Sequence, residues 1–82
     1  IQSLNLFVGP TVENKGVIVL NFKDKSYLIK GDIIIEVNRE SITTVESFTQ
    51  LIENIYKTGR NSLLLKILRN EKTLWATIQF IK

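Results

Sequence analysis

A small, mostly β domain with one main helix is what this sequence predicts: a partly open antiparallel β-barrel or sandwich capped by an amphipathic helix. Three observations lead there. Several short apolar runs are separated by glycine or polar turns, as in Gly16–Leu20 and Ile33–Val37, both rich in β-branched residues, and in the leucine-rich Ser62–Leu68. Only one stretch, from about Thr44 to Lys57, repeats its apolar residues at helical spacing. And 82 residues are enough for one core and no more.

Taken in order, Leu4–Val8 reads as a first short strand ended by Gly9-Pro10. Gly16–Leu20 reads as a continuously buried strand, and Asn21–Ser26 as a polar turn. Tyr27-Leu28-Ile29 forms an apolar plug before the turn Lys30-Gly31-Asp32, and Ile33–Val37 is the next buried strand. Gly31 is expected to hold a backbone conformation closed to β-branched residues. Thr43 with Glu46 fits a capping box at the start of the helix. Lys57, Arg60 and Gly59 suit its end, the cations meeting the negative pole and the glycine supplying a left-handed stop. Ser62–Leu68 is a third apolar strand, Arg69–Lys72 a polar hairpin turn. The last strand alternates Leu74, Ala76, Ile78 and Phe80 against Trp75, Thr77 and Gln79, with Trp75 expected to pack.

Composition excludes several functions. The chain is 44% hydrophobic and 23% charged, the balance of an ordinary folded domain. It has no cysteine, hence no disulfide or thiolate, and no histidine, hence neither the usual general base nor the commonest metal ligand. No cofactor is expected. The net charge of +3 comes from lysines and arginines interleaved with acids, so no nucleic-acid surface is expected. No run approaches the roughly 18 apolar residues of a membrane span. Acidic residues do not pair into a dyad, and Ser41, Ser47 and Ser62 lack a base, so no catalytic residue is assigned. The start at Ile1, without methionine, suggests a piece of a longer protein, with residues 1–82 forming its one domain here.

The helix carries Val45, Phe48, Leu51, Ile52, Ile55 and Tyr56. At about 100° per residue these cover roughly 140° of its surface. All of them could be core, or the edge formed by Thr44, Phe48 and Leu51 could face a groove; periodicity leaves both readings open.

The order Gly31-Asp32-Ile33-Ile34-Ile35-Glu36-Val37-Asn38, a tight turn and a capped helix resembles the second half of a bacterial PDZ domain. The stretch Ser41-Ile42-Thr43-Thr44-Val45-Glu46-Ser47-Phe48, with Thr58-Gly59-Arg60-Asn61-Ser62-Leu63-Leu64-Leu65 later, is similar to the PDZ modules of HtrA-type (Do-like, DegP-type) serine proteases. That resemblance implies a PDZ-like fold and a peptide-binding module with no chemistry of its own. The parent chain would be a serine endopeptidase of the periplasm or cell envelope of a Gram-negative bacterium. Its partners would be hydrophobic peptide C-termini or unfolded segments, and other subunits of the parent. The resemblance further implies that Leu4, Asn5, Leu6, Phe7 and Val8 offer backbone groups to a peptide added as an extra strand. Phe48 and Leu51 would wall the pocket for its last side chain, with Thr44 nearby. Asn5 stands where the family has glycine, and asparagine tolerates φ > 0. Arg39 stands where glycine is common and is expected to take a different turn. The short segment Lys23–Lys30 departs from the family's Ala/Gly-rich helix. It suggests the second, C-terminal PDZ copy, which in such proteases often serves assembly. A PDZ of another membrane-associated protease or of a secretion component is the remaining alternative.

Overall fold

The computed structural model describes residues 4–22 and 28–80. The elements are β1 (Leu6–Pro10), β2 (Val17–Phe22), β3 (Ile33–Val37), β4 (Glu40–Ser41), α1 (Val45–Lys57), β5 (Ser62–Arg69) and β6 (Lys72–Gln79). All strand pairs are antiparallel, in the order β1-β2-β3-β5-β6, with β4 pairing onto β3. The sheet does not close. Its concave side and α1 enclose one apolar core that runs from Leu4 to Phe80 and includes Val17, Val19, Ile34, Val37, Ile52, Leu65 and Ile67. This is the mostly antiparallel, helix-capped architecture the sequence predicts.

The differences have local causes. Gly9-Pro10 does not end the first strand. Pro10 pairs with Val17 inside β1, and β1 begins two residues later than expected, at Leu6. A proline is compatible with an edge strand, where its missing N–H costs no ladder bond. A register shift between Phe7 and Val8 bends this strand. β2 alternates instead of being buried throughout: Val17 and Val19 point into the core while Leu20 is exposed. Asn21 and Phe22 belong to β2 and not to a turn. Residues 23–27, including Tyr27 of the expected plug, lie outside the described residues; of that plug Leu28 is buried and Ile29 exposed.

The helix cap is displaced by one residue. Thr44, not Thr43, is the N-cap, at φ −126°. The Ser47 amide donates to Thr44 Oγ1 at 3.1 Å, and the Thr44 amide donates to Ser47 Oγ at 3.1 Å. Thr43 is engaged elsewhere, its carbonyl accepting from the Gly16 amide at 3.2 Å. At the other end Gly59 has φ +84°, the left-handed stop expected, and the Thr58 hydroxyl donates to the Ile55 carbonyl at 2.6 Å.

The turn after β3 keeps the left-handed conformation that glycine would favour: Asn38 has φ 49° and Arg39 φ 70°. Arg39 therefore adopts the strained state itself and does not change the turn. Asn38 fixes it, exchanging main-chain and side-chain bonds with Leu64, whose amide donates to Asn38 Oδ1 at 2.9 Å. Asn70 and Glu71 form a second left-handed two-residue turn between β5 and β6, at φ 50° and 65°. On β6, Leu74 is 38% exposed although it shares the parity of buried Ala76 and Ile78. Trp75 is 52% exposed, with the Lys66 ammonium 5.5 Å from its ring centroid, so it is a surface residue and not a packing one.

The turn before β3 is locked by an ion pair. Asp32 is 2% exposed and takes Arg69 Nε on Oδ1 at 2.8 Å and Arg69 Nη2 on Oδ2 at 2.7 Å. The Ile29 amide donates to Asp32 Oδ2 at 2.8 Å. Burial pushes the Asp32 pKa up, but the Arg69 and Ile29 hydrogen bonds and the Arg69 charge outweigh it, and the net shift is downward. A lowered folded-state value means that this stabilisation is complete above the ordinary carboxylate range near pH 4 and is lost as pH falls through the folded-state pKa. Asp32→Ala should cost about 2 kcal/mol at pH 7 and lower Tm by roughly 8–16 °C. The gap between variant and parent should narrow below about pH 4. Thermal melts at pH 7 and pH 3 check both statements; a gap that widens in acid would contradict the pairing.

Candidate functional site

β1 is one edge of the sheet, and among the described residues it pairs only with β2. Just before it, Asn5 sits at φ 49° between Leu4 and Leu6, whose side chains both enter the core. The left-handed residue turns the chain sharply while two leucines anchor it on either side. Asparagine is among the few non-glycine residues that take this conformation readily. Along β1, Phe7 faces out, 48% exposed, and Val8 is half-buried against the core.

The helix approaches the sheet beside β1. Leu4, Leu6 and Phe48 share one core cluster; Val8 and Phe22 from the strands, and Val45 and Leu51 from the helix, are packed half-buried against it. The segment Leu4–Val8 and the helix thus come together. The expected groove wall does not form as drawn, however. Phe48 is fully enclosed, so its ring is core and not the open wall of a pocket. The helical period gives the direction of Phe48 but not what lies opposite it, and here Phe48 is enclosed in the core cluster that also holds Leu4 and Leu6. The Thr44 hydroxyl is committed to Ser47 in the helix cap. Leu51 remains half-buried, on the wall of an open cleft of about 340 Å³ with Asn38, Glu40, Asn54 and Arg60. The sequence offers no sign of this cleft, because the left-handed turn that brings Asn38 and Glu40 to its wall carries no glycine. Sequence reasoning also missed Phe22, read as part of a polar turn, which packs at the core margin.

Among the described residues, no group of His, Cys, Asp and Glu is placed to hold a metal, and no helix is long and apolar enough to cross a membrane.

An open, mostly antiparallel sheet with one capped helix beside an edge strand is compatible with a PDZ-like domain. In sequence, the chain is similar to a probable periplasmic serine endoprotease, DegP-like, of Bartonella henselae, with 26% identity over 87 aligned residues that cover 100% of this chain. A probable periplasmic serine endoprotease, DegP-like, of Brucella suis is 26% identical over 83 residues, covering 95% of the chain, and one of Brucella abortus matches equally. The chain spans only 17% and 16% of the length of these curated relatives. No family model matches it.

Proposed function

We propose that this domain is a PDZ-type peptide-binding module of an HtrA-type serine protease located in the periplasm or cell envelope. It takes hydrophobic C-termini or exposed unfolded segments as an added strand along β1. The supporting observation is the combination of a sheet edge at β1 with the left-handed Asn5 immediately before it, beside α1. A peptide strand can satisfy main-chain groups along β1, and amides around Asn5 can turn toward its carboxylate. Val8, half-buried on β1 itself, supplies an apolar margin for its side chains. The similarity to DegP-like endoproteases along the whole chain supports the same reading. Proteolysis itself would belong to another part of the parent chain.

Titrating the domain with short peptides ending in Val, Leu or Phe should move the amide resonances of residues 4–8 and 44–51 together, with a dissociation constant on the order of 100 µM because peptide ordering offsets much of the apolar gain. Amidating the peptide terminus should weaken binding several-fold. No shift in either segment at millimolar peptide would remove the proposal. In its place would stand an assembly module, a reading favoured by the complete burial of Phe48, which leaves β1 with a shallow margin and no deep pocket.

A further inference from the structure

The opposite edge of the sheet is built differently from β1. β1 is five residues long, bent by its register shift, and has Gly9-Pro10 as its last two residues. These are features that discourage strand addition by other folded copies. β6 is eight residues long, pairs with β5 in unbroken register from Ser62↔Gln79 to Arg69↔Lys72, and among the described residues has no partner on its other side. It contains no proline and no glycine, and its only charge is Lys72 at its first position. The usual protections of an edge (central charge, proline, bulge) are all missing. Two large apolar side chains, Leu74 and Trp75, stand exposed on it.

We infer that β6 is a homodimerisation edge, pairing antiparallel with β6 of a second copy about a two-fold axis at Ala76. In an antiparallel pair, opposed residues share a face, so a two-fold axis through the sheet must pair positions of like parity. Centring on Ala76 sets Trp75 against Thr77 on the outer face and Leu74 against Ile78 on the inner one. Thr73 then meets Gln79. No charge opposes a like charge in this register, because Lys72 is the strand's only one. The two alanines at the axis leave room for the large neighbours, and the two Trp75 rings fall at diagonal positions, within reach of each other. Leu74, which the parent core leaves uncovered, gains an apolar partner in Ile78. The occupant is a second copy because the strand is complementary to itself in this register. Peptide addition along β1 and pairing along β6 use opposite edges, so either can fail without the other.

Sedimentation velocity on a concentration series should show a weak dimer, with a dissociation constant on the order of 100 µM, as fits a contact below about 1,000 Å². Trp75 is the chain's one tryptophan, so its fluorescence should shift to the blue as concentration rises. Trp75→Glu and Thr77→Lys, both at exposed positions, should each weaken self-association at least tenfold with the far-UV circular dichroism spectrum unchanged. Mixing the two variants should restore association, since opposite charges then face each other across one Trp75–Thr77 pair. A chain that stays monomeric to millimolar concentration overturns the inference. So does a dimer that survives both variants, or two variants that fail to associate when mixed.

Discussion

Gly16→Ala should destabilise the domain by about 3–5 kcal/mol, a large share of the roughly 5–15 kcal/mol that holds a domain together. Two costs combine. Gly16 has φ +113°, a conformation that L-residues rarely hold. A Cβ there would also stand 2.4 Å from the Ile34 carbonyl oxygen and 3.1 Å from Ile33 Cγ2. The obstructing atom is backbone in β3, which is paired on both sides by β2 and β5, so it cannot yield as a flexible side chain would. Moving Gly16 instead would break its amide bond to the Thr43 carbonyl, which ties the start of β2 to the segment leading into α1. Gly31 supplies the comparison. It has φ +97° but no atom within 4 Å of the added Cβ, so Gly31→Ala should cost only the conformational part, about 1 kcal/mol. Urea denaturation of both variants gives the two numbers directly. Equal effects at the two glycines would mean that the contact between Gly16 and β3 is not real.

What could be read from the sequence follows from how local its cause is. β3 is bounded as expected, because its apolar run ends at a polar turn and begins after a glycine whose φ is indeed positive. The helix body and its Gly59 stop were also legible, since both depend on neighbours within a turn. The cap was misplaced because Thr43 and Thr44 are adjacent candidates: Glu46 stands at the right spacing for Thr43, but it is Ser47 that exchanges bonds with Thr44. Gly9-Pro10 misled because its effect depends on β1 being an edge, which only the completed sheet decides. For Leu74 and Trp75, alternation fixes which face a residue takes but not how far the core extends along the strand, and the core stops short of Leu74. At the candidate site the same limit applies to Phe48. Asn5, which the resemblance sets where the family has glycine, takes φ 49°.

Phe48→Ala separates the core from the groove. The ring is fully enclosed, in one cluster with Leu4, Leu6, Ile52 and Ile55. Truncating it removes the transfer energy of a whole phenyl group and leaves a void that the surrounding strands and helix cannot fill, a loss of about 3–5 kcal/mol. Leu51→Ala, one helical turn on, takes a side chain from a half-buried position beside an open cleft, and should cost roughly 1 kcal/mol. Chemical denaturation should therefore rank the two variants far apart. Were Phe48 the wall of an open pocket, both would cost about the same, and peptide affinity would fall in the Phe48 variant at near-native stability. Phe48→Leu keeps most of the apolar volume and should stay folded, at a cost of about 1–2 kcal/mol. If the proposed binding along β1 holds, peptide-induced shifts at residues 4–8 should persist nearly unchanged in that folded variant, because the Phe48 ring is enclosed in the core and not exposed to a bound peptide.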